Sequence, residues 1–562
     1  MKNHYNRRQF LRLSGSGLSG LALLPGIVSG MKSSVPTERV VETAYGKLKG
    51  LQSDGFVTFK GVPYAGSVSG ANRFKRPAEL KPWAGVRDAL QLGNPSIQAP
   101  NQTYGINEPD PAEDCLFLNI WTPACDSAKR PVMVYNHGGG FVSGSGGSAM
   151  QDGANLARLF NVVVVETNHR LGLLGFLYLD ELWGDEFAGS GNRGVQDIAI
   201  ALKWVNENIE RFGGDPYNVM IHGESGGGMK TSALYAMPEA APYFNRASIE
   251  SGPGLKFKSP ELAAETTELL LSDLGLTKAT AHKLLQMPAV QLLEAQLQLS
   301  KHGMRSLVSS FEGIGASGVG GFSPVVDGTV LPVHPFSPAA CEISKNKPLL
   351  VGWNEDEQIF FSMFGGDLDA FKLTNDGLKS RLEKNFGDEA DRIISTYRAT
   401  RPEASPTDLY IAIYSMLSMG LGSVRIAERK SEQGGAPVYL YNFGYKSELK
   451  VPGTDYELGS MHAMDIAFKF YNVAATKGPN GTDIPGMAGS REERFQASRN
   501  MCNYWTSFAA SGEPSAEGQP QWKPYDLNTR PTMRIDSQCA LIDDRYASEL
   551  AMWREILEPK TN

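Results

Sequence analysis

Cysteine is scarce in this chain: 562 residues hold five, Cys115, Cys125, Cys341, Cys502 and Cys539. Their spacing fits neither a zinc site nor a C-x-x-C redox pair, and an odd number leaves at least one thiol outside any intramolecular bridge. They are expected to be mostly buried or structural. H-E-x-x-H, a glycine-rich dinucleotide loop and a P-loop are all missing, and eight scattered histidines do not suggest a metal cluster. No metal and no cofactor is therefore expected. Excess basic charge is lacking too. The formal net charge is −7, and four of the basic residues (Lys2, Arg7, Arg8 and Arg12) lie in the N-terminal segment, so the remainder is more acidic still. That balance argues against nucleic acid or an anionic membrane as partner, and favours a neutral or cationic small substrate. No sequence repeat is visible. With 41% hydrophobic and 20% charged residues, the composition is that of a soluble globular enzyme with a sizeable core.

The N-terminus reads as an address. Paired arginines, Arg7-Arg8, precede Gln9-Phe10-Leu11-Arg12 and a modest apolar run from Leu13 to Val28. The run is too short and too rich in glycine to span a membrane, and suits a signal h-region. The pattern resembles a twin-arginine export signal, which carries folded proteins out of the cytoplasm. Residues 1–30 are therefore expected to be a signal peptide, and residues 31–562 one exported domain, periplasmic or secreted. No cysteine follows the apolar run, so no lipoprotein or other stable membrane anchor is expected.

From Val40 onward the pattern opens with extended pieces at 46–51 and 56–59, read as an antiparallel meander. Turn-rich sequence covers 66–112. Strand-length apolar runs follow at Leu116–Trp121, Pro131–Tyr135, Val162–Glu166 and Val219–His222, with later ones at Pro348–Trp353 and Pro437–Phe443. The middle runs are apolar on both faces, as in strands covered by helices. Between them, Gln196 to Ile209 puts Ile198, Leu202, Val205 and Ile209 on one helical stripe. The alternation predicts an α/β fold with a large, mostly parallel central sheet. Residues 257–310 read as amphipathic helices, and 312–321 as a glycine-rich loop. No linker divides the chain.

The sharpest motif is Gly223-Glu224-Ser225-Gly226-Gly227, a G-x-S-x-G pentapeptide between a strand and a helical pattern from about Met229. Glycines on both sides let the chain turn sharply and lift Ser225 Oγ above the strand ends. Upstream, strand 131–135 runs into His137-Gly138-Gly139-Gly140-Phe141. The N–H groups of Gly139, Gly140 and Gly226 are candidates to hold the oxyanion of a tetrahedral intermediate, with His137 propping the loop. In such folds the chain order is serine, acid, histidine. Of the later histidines, His282 and His302 lie on helical stretches and His334 in a turn. His462 lies in a loop before the helical run 463–470, and is the candidate base. His222 shares a strand with the elbow, cannot bend back to Ser225, and is read as structural. The acid belongs on the loop after strand 348–353, where Glu355, Asp356 and Glu357 crowd together without spacing choosing among them.

At this point the chain, from about Val40 to Trp553, resembles the type-B carboxylesterases, the family of the cholinesterases and of para-nitrobenzyl-esterase-like bacterial enzymes. The resemblance is carried by Glu113-Asp114-Cys115-Leu116, the glycine loop, Asn168-His169-Arg170-Leu171-Gly172, Gly191-Asn192-Arg193-Gly194, Phe212-Gly213-Gly214-Asp215-Pro216, the serine pentapeptide and Gly459-Ser460-Met461-His462. It implies an α/β-hydrolase with inserted helices forming a gorge, Ser225 as nucleophile, Glu357 as acid and His462 as base. The implied activity is hydrolysis of carboxylic esters through an acyl-enzyme. Phe360 and Phe361, with Phe141 and Glu224, are the implied pocket. Gly226 stands where most relatives have alanine, which predicts a looser elbow, and Gln358 follows the acid where glycine is usual. Cys115 matches a half-cystine of the family, but Ser96 occupies its partner's place, so that bridge is expected to be missing. The tryptophan that choline-ester relatives carry before E-D-C-L has no counterpart; Tyr104 is the one aromatic in 94–112, which disfavours a cholinesterase role. Hydrolysis of amides, carbamates or thioesters by the same residues, and a non-catalytic binding module, are the alternatives.

Overall fold

A computed structural model describes residues 36–100, 108–302, 321–477, 483–484 and 486–558. The expected signal segment 1–30, Tyr104 and residues 312–320 of the expected glycine-rich loop lie outside the described residues. The chain begins with an antiparallel meander of β1 (Thr37–Thr43), β2 (Gly46–Ser53) and β3 (Phe56–Pro63). Ser53 pairs with Phe56 across the two-residue turn Asp54-Gly55, and both turn residues have positive φ (41° and 87°). That is the type I′ geometry whose twist matches the flanking strands.

The meander is one flank of a 13-stranded sheet. Besides β4 (Val86–Asp88), which pairs with β2, it contains β5 (Phe117–Thr122), β6 (Arg130–Asn136), β7 (Val163–Thr167), β8 (Gly214–Glu224), β9 (Arg246–Glu250), β10 (Leu349–Asn354) and β11 (Val438–Phe443). The strand order is β1-β2-β3-β5-β7-β6-β8-β9-β10-β11, followed by strands Thr532–Ile535 and Ala540–Ile542. From β7 through Thr532–Ile535 every neighbouring pair is parallel; along the strand order the flanks are antiparallel, and β4 alone pairs parallel to β2. The parallel strands are buried along nearly their whole length, as the continuous Val/Ile/Leu runs require. Helix Arg193–Asn208 buries Ile198, Leu202 and Val205 and leaves Lys203 and Glu207 in solvent. The helical region after the sheet's middle resolves into helices Pro260–Asp273 and Ala289–Leu299 around a 3₁₀ segment, Lys278–Leu285, on which His282 is exposed.

Three differences from the sequence expectations have local causes. The helix after the serine starts at Gly226, not near Met229, because close packing overrides the poor helix propensity of three glycines. Strand β9 was not expected; its short run begins with Arg246, whose guanidinium reaches the carbonyl of Ala509 at a helix end. Strand Thr532–Ile535 is likewise too short to signal itself, and gains its identity from parallel pairing with β11.

One helical run, Pro406–Glu432, matches a membrane span in length and apolarity. Most of it is buried in the fold, with a π-helical turn at Met416–Gly420 whose Gly420 lies against Trp353 of β10.

All five cysteines are free. Cys115 is buried and its thiol faces Ser96, the residue expected in the place of the family's half-cystine; burial raises the thiol to about 12. The Asn168–Gly172 segment is anchored by an ion pair. Arg170 grips Asp197 of helix Arg193–Asn208 bidentately (Nε–Oδ2 2.9 Å, Nη2–Oδ1 2.8 Å), and the backbone N–H of Arg170 adds a third bond at 3.0 Å. Both side chains are essentially solvent-free, at 2% and 0%. Asp197→Ala strands a buried guanidinium and should cost about 3–5 kcal/mol. Chemical denaturation is expected to show that loss, whereas replacing the pair by Met and Leu together should cost much less.

Candidate active site

The parallel strands end level with one another. Asn136 of β6 pairs with Gly223 of β8, and Glu224 of β8 with Glu250 of β9. The loops that leave these ends therefore emerge side by side, at the carboxyl edge where α/β sheets bind ligands.

Ser225 links β8 directly to helix Gly226–Tyr235. Its backbone sits at φ 58°, ψ −124°, a turn geometry that residues other than glycine rarely adopt. Such strain costs roughly 1–3 kcal/mol and persists only where the surroundings enforce it. Here the Ser225 N–H donates to the Glu250 carbonyl at 2.9 Å, while its own carbonyl accepts from Met229 N at 3.1 Å. Beyond Ser225 there is no room for side chains. A Cβ at Gly227 would lie 1.9 Å from the Asn136 carbonyl oxygen, and one at Gly226 2.3–2.4 Å from the O, Cα and N of Gly140. The elbow and the glycine loop thus meet backbone to backbone. Gly226 does not loosen the elbow; it admits a closer approach than alanine would.

The glycine loop follows β6. Gly139 and Gly140 have φ of 84° and 62°, and a Cβ on Gly140 would meet nothing within 4 Å. The turn is fixed by the Gly139 carbonyl, which accepts from Ser143 N at 3.1 Å and Ser143 Oγ at 3.1 Å. Gly139, Gly140 and Gly226 are thus gathered at one spot, with Ser225 beside them and only partly exposed.

His462 arrives from the other side, after strand Glu457–Gly459, with the left-handed Ala463 (φ 67°) turning the chain into helix Met464–Lys469. Its ring is 2% exposed. Nδ1 lies 2.5 Å from Glu357 Oε2; a carboxylate there can only accept, so Nδ1 carries the hydrogen. Glu357 is fully buried, and its other oxygen accepts from Ser251 Oγ at 2.6 Å and Asn354 N at 2.7 Å. The opposite ring nitrogen, Nε2, is 3.4 Å from Oε1 of Glu224, the residue before Ser225. Burial opposes a charged ring, but the carboxylates of Glu224 and Glu357 outweigh it and raise His462 to about 9. Burial raises the Glu224 carboxyl to about 8, against the pull of His462.

The three acids that spacing left unresolved are sorted by distant partners. Glu355 accepts from Arg534 (2.8 Å) and Arg545 (2.6 Å), and Asp356 binds Lys446 and the Ser460 N–H (both 2.8 Å). Only Glu357 of the three meets His462. Gln358 starts helix Gln358–Phe364, its N–H bonded to Ser415 Oγ at 3.0 Å. The next turn puts Phe360 and Phe361 against His462, with ring centroids 5.3 and 4.9 Å away. Phe141 is buried and packs edge-to-face on Phe176 (5.1 Å). His222 lies beneath, 3.4 Å from Glu250, and His334 accepts from Phe257 N at 3.2 Å. Ser251 and Asn354 went unrecognised in the sequence, since a serine after a short strand and an asparagine ending one carry no motif.

A serine on a strained strand-to-helix elbow at the carboxyl edge of a mostly parallel sheet defines the α/β-hydrolase class. The carboxylesterase family model matches residues 37–553, and the chain belongs to that family. It is 33% identical over 511 residues to the para-nitrobenzyl esterase of Bacillus subtilis, covering 90% of this chain and 97% of that one. With the pig liver carboxylesterase it shares 32% over 583 residues, covering 95% and 97%. A solved carboxylesterase of Geobacillus stearothermophilus superposes with a TM-score of 0.76 at 34% identity, over 92% of this chain and 99% of that one. The protein is a serine carboxylesterase that hydrolyses carboxylic esters of small molecules.

If His462 is the base, it must be unprotonated to act, and the acid limb of kcat/KM should then lie above the ordinary histidine range. Glu224→Gln removes the foremost of the carboxylate charges that raise His462. The limb is expected to move to lower pH by about one unit in a pH–rate profile; a static or upward-moving limb would contradict the arrangement.

Proposed function

We propose that Ser225 is the nucleophile of this esterase, His462 its general base and Glu357 the group that orients and stabilises the imidazolium. The observation that carries the reading is His462 itself, buried between Glu357 on one ring nitrogen and the residue next to Ser225 on the other. As Ser225 Oγ attacks the ester carbonyl, its proton passes to Nε2, and the negative charge goes to the carbonyl oxygen. The N–H groups of Gly139, Gly140 and Gly226 receive that oxygen, each donor worth about 10²–10³ in rate. Collapse of the intermediate breaks the ester C–O bond, and His462 protonates the departing alcohol. Water then gives its proton to His462 and attacks the acyl-enzyme, releasing the acid and restoring Ser225. Phe360 and Phe361 flank the ring as an apolar wall for the acyl or alcohol group, with Glu224 at its polar end. Phe141 contributes from beneath.

An ester is favoured over an amide, carbamate or thioester, since the family model describes esterases; matched ester and amide substrates on one preparation separate the readings. Ser225→Ala should lower kcat by roughly 10⁴-fold or more without changing the circular dichroism. Near wild-type turnover in that folded variant would overturn the mechanism.

Residues 1–30 are proposed as a twin-arginine signal that exports the folded hydrolase, residues 31–562, to the periplasm or beyond. Free thiols in the fold suit a protein that folds before leaving a reducing compartment. Replacing Arg7 and Arg8 with lysine should leave active precursor in the cytoplasm on fractionation; unaltered export would sink the assignment.

A further inference from the structure

Beneath the glycine loop sits a basic side chain that the mechanism above does not use. Lys230 lies on the elbow helix Gly226–Tyr235 and is entirely buried. Its Nζ donates to the carbonyl oxygen of His137 at 2.9 Å, its one hydrogen-bond partner among the described residues. No carboxylate there pairs with it. A buried amine without a counter-ion costs stability that a methionine of similar shape would not. That cost needs a compensating task, and the atom it touches indicates one.

We propose that Lys230 is a positioning residue for the oxyanion site: from the elbow helix, its amine holds the His137 carbonyl and so sets the glycine loop against Ser225. The inference rests on the catalytic roles proposed above. Three observations converge on it. One residue on, Thr231 Oγ1 accepts from Asn136 Nδ2 at 3.0 Å, so consecutive helix residues grip consecutive residues where β6 passes into the loop. The glycines of the helix's first turn leave no gap between the two segments. The His137 ring, stacked on His169 at 4.5 Å, is kept neutral by burial and by the Lys230 charge; its Nδ1–H donates to the Gly138 carbonyl at 2.9 Å. That carbonyl belongs to the same peptide group as the Gly139 N–H. Lys230 and the His137 ring thus polarise two successive peptide groups in one sense, the second of which supplies an oxyanion donor. Burial lowers Lys230 to about 7, but either protonation state retains an N–H for the carbonyl.

Lys230→Met keeps the stem and removes the donor. On a preparation whose wild type is labelled at Ser225 by a fluorophosphonate, the variant is expected to lose about 10–100-fold in kcat with KM within about threefold. Its affinity for an aryl trifluoromethyl ketone, which needs the oxyanion site, should fall by a similar factor. If the methionine variant does not fold, Lys230→Ala serves instead, and added propylammonium should restore most of the lost ketone affinity. Wild-type kcat and ketone affinity in Lys230→Met, or no response of Lys230→Ala to the amine, would overturn the inference while leaving the roles of Ser225 and His462 intact. Absence of the label on wild type would overturn those roles, and the inference with them.

Discussion

The site depends on one constraint: Ser225 must hold a backbone conformation that its own side chain disfavours. Register in the parallel sheet supplies the restraint, because pairing of β8 with β9 brings the Glu250 carbonyl to the Ser225 N–H. Contact between the elbow and the glycine loop supplies the rest, and it works only without side chains at 226 and 227. A few kcal/mol of strain at one residue is then carried by a sheet and two loops that cannot move independently.

Electrostatics in the layer below follow from the same burial. Lys469 binds Asp465 (2.5 Å) and Glu250 (2.6 Å), all three without solvent contact, and Trp505 Nε1 donates to Glu250 at 2.6 Å. Asp465 also accepts from Asn354, whose backbone N–H holds Glu357. The ion cluster and Glu357 are therefore joined by one asparagine. Such a network holds its members in one arrangement, because breaking any pair strands a charge in a dry interior. The acids that could compete for His462 are drawn off, Glu355 to two arginines and Asp356 to Lys446.

Much of this was legible in the sequence, and the reason differs by element. The central strands announced themselves because both faces are buried, so their apolar runs are unbroken. The serine elbow and the glycine loop were legible because close backbone approach demands glycine at fixed offsets. The choice among Glu355, Asp356 and Glu357 was not, since it rests on Arg534 and Arg545, some 180 residues away in sequence. Ser251 and Lys230 were silent for a similar reason: a single polar residue on a strand end or helix gains meaning only from the atom opposite. Gly226, expected to loosen the elbow, instead tightens it, because its neighbour across the gap is backbone.

The central claim is an activated Ser225, and intact-mass analysis after fluorophosphonate treatment, with peptide mapping, tests it most directly. A single adduct on Ser225 is the predicted result. A folded preparation that takes up no reagent, or takes it up at another residue, would contradict the account.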